Sequence, residues 1–184
     1  MKIIETPIKD LLVIQPQIFN DNRGYFFESF NQQKFNSATG FDINFVQDNQ
    51  AFSTFGALRG LHYQLNPFSQ AKLVSVLKGK VLDVAVDVRK HSATYGKHFS
   101  IELSEENKTQ LFVPRGFAHG YVVLSDTAHF FYKCDNFYSK ENEGGIAFND
   151  ASLQIDWQID LSKAILSDKD LVLPTLAHSK NNFD

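Results

Sequence analysis

Residues 73–88 read LVSVLKGKVLDVAVDV and contain the strongest β-strand signal in the chain. From Leu82 to Val88 every even-numbered residue is apolar, whereas the odd-numbered face carries Asp83 and Asp87. Alternation of this kind is typical of strands, and a short turn around Gly79 predicts that the two strands form a hairpin. The face with the two aspartates either meets solvent or lines a polar cavity.

Similar short runs recur along the chain, separated by turn residues, and they predict an all-β barrel or sandwich rather than alternating βαβ units. Helical signals are few: a short helix over residues 30–37, ending before Gly40, and a capped turn beginning at Ser167. No repeat, linker or composition shift divides the chain, so one domain over residues 1–184 is expected. The further predicted strands cover residues 13–19, 25–30, 45–52, 99–103, 110–113, 120–124, 128–134 and 153–157.

Charge and cysteine content narrow the possible classes of function. The formal net charge of −3 provides no basic field for nucleic acid or an anionic membrane surface, so neither is an expected partner. Cys134 is the single cysteine, which excludes a disulfide within the chain. The opening MKIIETPIKD lacks the pattern of a signal peptide, and no apolar run has the length of a membrane span. A reducing, cytoplasmic setting is therefore expected.

Two blocks of sequence follow the spacing of ligand residues in metal-binding cupin barrels. One block runs from Gly56 through His62-x-Gln64 to Lys72, and the other is Pro114-x-Gly116-x-x-His119. Alternate residues of a strand share a face, so the His-x-His pair of a metal cupin reaches one ion. Here Gln64 replaces one imidazole and Lys72 occupies roughly the position of the carboxylate. A charged lysine offers no lone pair, so the sequence predicts a cupin-type β-barrel, or jelly roll, without a metal.

A fixed cation beside a histidine suggests the chemistry that replaced the metal. Removing a proton next to a carbonyl builds negative charge on the oxygen, and a preorganised donor stabilises that charge. Lys72, helped by Arg59, is predicted to supply that donor, with His62 as the general base. Inverting a carbon also requires an acid on the opposite face, and Tyr132 on a facing strand is the best-placed candidate.

The chain also resembles the dTDP-4-dehydrorhamnose 3,5-epimerase family of sugar-nucleotide enzymes nearly from end to end. So many ordered blocks are far more specific than a single short motif. The blocks are DNRGYFFESF, FVQDNQ, LRGLHYQ, QAKLVSVLKGKVLDVAVDVRK, VPRGFAHG, FYKCDNFY, GGIAFND and LSDKD.

The resemblance implies a role for each matching residue. The family's base falls on His62, its orienting carboxylate on Asp170 and its acid on Tyr132; no cofactor is implied, and the substrate is a nucleotide-diphospho-sugar. In the family the N-terminal strands pair across a homodimer, which would bring Arg23 and Glu28 into the neighbouring site. The implied substrate contacts are Arg23, Glu28, Gln47, Asn49, Arg59, Lys72, His119, Tyr138, Glu143 and Lys169.

The resulting prediction is an isomerase that epimerises C3 and C5 of dTDP-4-dehydro-6-deoxyglucose to give dTDP-4-dehydrorhamnose. Three alternatives stay open from the sequence: an epimerase of a single carbon, a metal-dependent cupin enzyme, and a sugar-nucleotide binding module without catalysis. Individual residues also have structural interpretations. Asp170 could cap a turn, Tyr132 could fill the core, Lys72 could lie on the surface instead of in a buried, paired position, and His119 could be a remnant of a metal site.

Overall fold

A computed structural model describes residues 1–183, and β-strands dominate it. Two short α-helices accompany them, α1 (Gln32–Thr39) and α2 (Asp168–Leu171), so the predicted all-β class with a few short helices is confirmed. The strands are β1 (Lys2–Glu5), β2 (Leu12–Gln15), β3 (Phe19–Asp21), β4 (Gly24–Phe26), β5 (Gln47–Thr54), β6 (Leu58–Gln64), β7 (Lys72–Lys78), β8 (Lys80–Asp87), β9 (His98–Ser104), β10 (Gln110–Val113), β11 (Phe117–Val123), β12 (Thr127–Cys134) and β13 (Glu143–Gly145).

The strands form two antiparallel sheets that face each other. The first sheet has the order β1-β2-β10-β7-β12-β5, and the second has the order β13-β6-β11-β8-β9. Strands β3 and β4 form a separate hairpin near the N-terminus. Side chains from both sheets, among them Val74, Phe130, Ala85 and Tyr121, pack together in one buried cluster between them. The two sheets thus enclose the interior of a barrel.

Two further clusters cover the outer faces of the sheets. The apolar face of β8, which includes Val84 and Val86, packs beneath the C-terminal segment through Trp157 and Phe183. Helix α1 covers the first sheet, where Phe35 packs against Phe112 with ring centroids 5.3 Å apart. The aspartate face of β8 therefore points into the barrel, and both Asp83 and Asp87 are fully buried.

The predicted hairpin at residues 73–88 is wrong, because β7 and β8 belong to different sheets. Each is a central strand: β7 pairs with β10 and β12, and β8 pairs with β9 and β11. At the crossing the Gly79 N–H donates to the Glu105 carboxylate (2.8 Å), and the Gly79 carbonyl accepts from the Glu105 N–H (3.0 Å). A β-carbon on Gly79 would lie 2.0 Å from the Thr127 carbonyl oxygen, so the backbone at Gly79 packs closely against Thr127.

The C-terminal strand prediction is also wrong, since residues 153–157 form turns and irregular backbone. Leu153 and Trp157 are buried for packing instead, and the indole N–H of Trp157 donates to the Phe148 carbonyl (2.9 Å). The predicted helix before Gly40 is confirmed as α1, with Gly40 in the left-handed conformation that ends it. The predicted cap is confirmed as well: Ser167 caps α2.

Candidate active site

An irregularity between β6 and β11 turns Arg59 and His62 toward the same cavity. In the ladder His119 lies opposite His62, and Tyr121 lies opposite Arg59. An interval of two residues on β11 is therefore matched by an interval of three residues on β6. Residues three apart on a regular strand point to opposite faces, whereas one extra residue restores a shared face. This bulge brings the two residues together.

Gly60 allows the bulge, and we expect Gly60→Ala to lower the free energy of unfolding by about 2–4 kcal/mol. Gly60 has φ +124°, and a β-carbon there would lie 2.5 Å from the Cα atom of Gly120. Gly24→Ala is the matched control, because Gly24 has φ +131° with nothing within 4 Å; backbone strain alone should cost about 1 kcal/mol. Chemical denaturation measures both, and equal losses would contradict the steric argument.

A cavity of about 440 Å³ opens between the two sheets on the side of β6 and β11. Helix α2 and the segment before it close one wall. Six of the predicted site residues line the cavity: Arg59, His62, Lys72, His119, Tyr132 and Asp170. His62 and His119 come from the second sheet and Lys72 and Tyr132 from the first, so the groups meet only because the sheets face each other.

His62 and Asp170 form a directly hydrogen-bonded pair. The His62 Nε2 lies 2.5 Å from the Asp170 Oδ1, and the Ser167 hydroxyl donates to the other carboxylate oxygen (2.7 Å). Burial alone would raise the pKa of Asp170, but hydrogen bonds from His62 and Ser167 hold it below its ordinary value. An ionised carboxylate keeps the proton of the neutral imidazole on Nε2, which leaves the Nδ1 lone pair available as a base.

Burial shifts the pKa values of two other cavity groups in opposite senses. It raises the pKa of the Tyr132 phenol to about 12, so this group keeps its proton at neutral pH. It lowers the pKa of Lys72, against the opposing effects of Cys134 and Asp83. The Lys72 Nζ lies 5.9 Å from the centroid of the Tyr132 ring. Lys72 is only half-buried, and it forms no ion pair within residues 1–183. The prediction of a buried, paired Lys72 is therefore wrong.

A second histidine–aspartate pair contributes its histidine to the lining of the same cavity. The His119 Nε2 is 3.0 Å from each carboxylate oxygen of Asp83, and both side chains are buried. The His119 ring also stacks on Phe130, with centroids 6.1 Å apart. Asp83 thus fixes a cavity-lining histidine, whereas Asp87, the other aspartate of this face, binds Arg89, Ser92 and Thr94 away from the cavity. The alternative that this face is solvated is excluded.

Five predicted contacts lie outside the cavity wall and form two groups, one hydrogen-bonded and one ion-paired. The Gln47 amide donates to Asn49 (3.1 Å) and accepts from the Tyr138 N–H (3.1 Å). Lys169, next to Asp170, forms a 2.6 Å ion pair with Glu143. Tyr138 is largely exposed. Since Glu143 pairs in the ladder with Gln64, two residues beyond His62, these side chains belong to the cavity's surroundings.

Three residues are not brought to the cavity of their own chain. Arg23 pairs with Asp21 (2.6 Å) on the exposed β3–β4 hairpin, and Glu28 pairs with Lys34 (2.9 Å) beside α1. Gln64, the residue in place of a second metal-binding imidazole, is buried and holds loops together: its amide donates to the Phe68 carbonyl (3.0 Å) and accepts from the Ser139 N–H (2.6 Å).

Three polar residues at or beside the cavity were not predicted from the sequence. Ser167 contacts Asp170, as described above, although the sequence pattern indicated only a helix cap. Tyr121 lines the cavity, and its position two residues after His119 on one strand was a usable signal. Ser53 accepts a hydrogen bond from Arg59, and no sequence pattern pointed to it.

The chain from residue 1 to residue 183 has neither a cluster of metal-binding side chains nor a helix that could span a membrane. No group of three or more His, Cys, Asp and Glu side chains in that range has an arrangement suited to a metal ion. Within the same residues, none of the helices combines the length and the apolar character that crossing a bilayer requires.

Comparisons with known proteins point to one family of enzymes. The family model for dTDP-4-dehydrorhamnose 3,5-epimerase matches residues 5–178. The dTDP-4-dehydrorhamnose 3,5-epimerase of Shigella flexneri is 54% identical over 171 residues, which cover 93% of each chain.

Solved structures are equally similar. The crystal structure of the Elizabethkingia anophelis dTDP-4-dehydrorhamnose 3,5-epimerase has a TM-score of 0.92 at 56% identity, covering 95% of this chain and 96% of that one. The dTDP-6-deoxy-D-glucose-3,5-epimerase of Legionella pneumophila, solved with dTDP-4-keto-L-rhamnose, has a TM-score of 0.93 at 46% identity and covers 96% and 93%. The structural neighbours are cupin-type, which confirms the predicted cupin-type barrel. The chain belongs to the dTDP-4-dehydrorhamnose 3,5-epimerase family.

Proposed function

We propose that the chain epimerises C3 and C5 of dTDP-4-dehydro-6-deoxyglucose, giving dTDP-4-dehydrorhamnose, within one cupin-like domain over residues 1–184. The carrying observation is that a hydrogen-bonded His62–Asp170 pair and Tyr132 line one cavity, with His62 and Tyr132 on facing sheets. Base and acid on opposite walls are what inversion of a carbon beside a ketone requires. Family membership supports the choice of substrate.

The reaction begins with removal of a proton from C5 by the Nδ1 atom of His62. Asp170, ionised and buried, stabilises the imidazolium that forms. The electrons of the broken C–H bond move toward the C4 oxygen, where the ammonium group of Lys72 stabilises the enolate. Tyr132 then gives its phenolic proton to C5 from the other face and becomes a phenolate. Once solvent has taken the proton from the His62 imidazolium and returned one to the Tyr132 phenolate, His62 removes the C3 proton, and a proton added to the opposite face of C3 completes the second inversion. The substrate already contains the ketone, so these steps need no cofactor.

Arg59 and the other polar side chains of the cavity and its surroundings are proposed to bind the substrate. Arg59 forms no ion pair within the described residues, so its guanidinium is available to the diphosphate. His119, held by Asp83, faces the sugar. The contacts proposed around the cavity are Gln47, Asn49, Tyr138, Glu143 and Lys169.

Proton exchange with heavy water tests the proposal. Incubation with dTDP-4-dehydro-6-deoxyglucose in D₂O should give the epimerised product with deuterium at both C3 and C5, read by NMR. Deuterium at one carbon alone would identify a single-site epimerase. Substrate recovered without deuterium would exclude the proposed activity for this sugar.

The fall of kcat/KM at high pH should reflect loss of the Lys72 proton rather than ionisation of Tyr132. The ammonium is charged only below its pKa, which burial lowers from 10.5, whereas the Tyr132 pKa is raised to about 12. We therefore expect kcat/KM to fall as the pH rises through the Lys72 pKa, before Tyr132 ionises. Lys72→Arg keeps a charge in alkaline solution and should move this fall to higher pH. A fall at unchanged pH in an active Lys72→Arg enzyme would assign it to another group.

We also propose that two copies of the chain form a homodimer in which N-terminal strands are exchanged. The β3–β4 hairpin exposes three aromatic side chains, Phe19, Tyr25 and Phe26, the last with 69% of its surface exposed. Phe52 and Leu77 are also exposed, on β5 and β7 of the first sheet. Exposed apolar surface of this kind supports an interface with a second chain. Exchange would take Arg23 and Glu28 into the partner's cavity.

Mixing two variants tests the exchange. Arg23→Ala and His62→Asn homodimers should each have low activity. After unfolding and joint refolding, a mixed dimer combines an intact His62 with an intact Arg23 from the other chain, so activity should return. Arg23→Ala mixed with Glu28→Ala is the control, because both lesions lie on the same arm of their respective chains and no site in the mixed dimer receives an intact arm. Activity that stays low in the first mixture argues against exchange.

We also propose that the protein is located in the cytoplasm. The single cysteine, Cys134, is buried and its thiol is free, as is usual for proteins of a reducing compartment.

A further inference from the structure

Arg59 is held at the cavity by hydrogen bonds rather than by a carboxylate. Its Nε donates to the Ser53 hydroxyl (3.0 Å), and its Nη2 makes a longer contact with the Phe52 carbonyl (3.4 Å). Ser53 lies on β5 of the first sheet and Arg59 on β6 of the second, so their hydrogen bond links the two sheets. Ser53 itself is only 6% exposed.

Tyr121 completes the support beneath this pair. It stands directly opposite Arg59 in the ladder between β11 and β6, and its ring stacks on Phe130 with centroids 4.0 Å apart. Its hydroxyl is the one buried side-chain polar atom within residues 1–183 that has no hydrogen-bond partner. Burial raises the pKa of Tyr121, and the neighbouring Ser53 hydroxyl opposes that shift. Ser53 accepts the Arg59 hydrogen bond through its oxygen, which leaves the hydroxyl hydrogen of Ser53 uncommitted.

We propose that Ser53, backed by Tyr121, is a positioning residue that aims the Arg59 guanidinium at the diphosphate of the substrate. This inference deepens the proposed function and rests on it. With Nε occupied by Ser53, the two outer nitrogens of the fork remain for a bidentate contact with phosphate oxygens. The serine thus acts on binding of the anion, while the proton-transfer groups His62 and Tyr132 stand elsewhere in the cavity.

Calorimetry with dTDP on the full chain tests this without requiring turnover. Ser53→Ala should raise the Kd for dTDP and the KM of the sugar substrate about tenfold, because a hydrogen bond to a charged group is lost. The kcat at saturating substrate should change by less than about twofold, since ground-state and transition-state binding are weakened equally. Ser53→Thr, which restores a hydroxyl, should recover the affinity. Ser53→Cys keeps the volume with a weaker acceptor and should raise the Kd even if the alanine variant folds poorly.

A double-mutant cycle separates positioning from a general structural effect. If Ser53 acts through Arg59, adding Ser53→Ala to Arg59→Gln should leave the Kd for dTDP unchanged. Ser104→Ala is the matched control, since Ser104 is equally buried but lies at the end of β9, away from the cavity. An unchanged dTDP affinity in Ser53→Ala, or an additive effect in the double variant, would overturn the inference. A chain that binds dTDP as described but forms no epimer would instead overturn the proposed function alone.

Discussion

Replacing His62 with asparagine is expected to lower kcat by about 10²–10⁴-fold and to stop deuterium entry at both C3 and C5. The asparagine amide can still donate a hydrogen bond to the Asp170 carboxylate, but it has no basic lone pair to take a proton from carbon. The cavity and the support from Ser167 remain, so the loss reports the base rather than the fold. Deuterium content at each carbon, read by NMR, and the rate of product formation measure the effect.

The control for this variant is His91→Asn, because His91 lies on an exposed loop away from the cavity. That enzyme should keep its activity. If His62→Asn stops exchange at C5 but leaves it at C3, a second base serves C3. His119, fixed by Asp83 within the same cavity, would then be the residue to replace next.

Local sequence patterns predicted the strands well where a strand is regular. Residues 110–113 and 128–134 were predicted nearly to their observed bounds, because alternation and flanking turn residues mark such segments. The prediction for 13–19 ran too far: the strand ends at Gln15, before Pro16, which has no N–H to donate to a ladder. The assignment of strands to sheets could not be read in this way. A central strand has two partners, and alternation does not identify them, so the chain's crossing between sheets at Gly79 was taken for a hairpin.

The cavity groups were predictable as residue types, whereas the geometry that joins them was not. Spacing on β6 and β11 pointed to His62 and His119, yet the bulge that turns Arg59 toward them has no sequence signal beyond Gly60. Asp170 lies 108 positions after His62, and only resemblance to a family linked the two. Ser53 and Tyr121 escaped notice because a buried serine and a core tyrosine look ordinary until their neighbours are known.

Replacing Tyr132 with phenylalanine should lower the rate of C5 inversion by about 10²–10⁴-fold while proton removal by His62 continues. Phenylalanine keeps the aromatic contact with Phe130, at 6.0 Å between centroids, but has no proton to give. The enolate formed after proton removal would then regain a proton mainly from the His62 side, which regenerates the starting configuration. In D₂O this should appear as substrate that gains deuterium without becoming product.

Deuterium exchange without inversion in Tyr132→Phe is the sharpest test of a base and an acid that act from opposite walls of the cavity. Tyr95→Phe removes a phenol from an exposed loop and should change neither exchange nor inversion. A Tyr132→Phe enzyme that inverts C5 at the normal rate would require another acid on that wall, and the high pKa of Tyr132, about 12, would then reflect burial without a catalytic purpose. Loss of exchange together with inversion would instead mean that the phenol takes part before the enolate forms. Exchange without inversion is the outcome that only a two-sided proton transfer predicts.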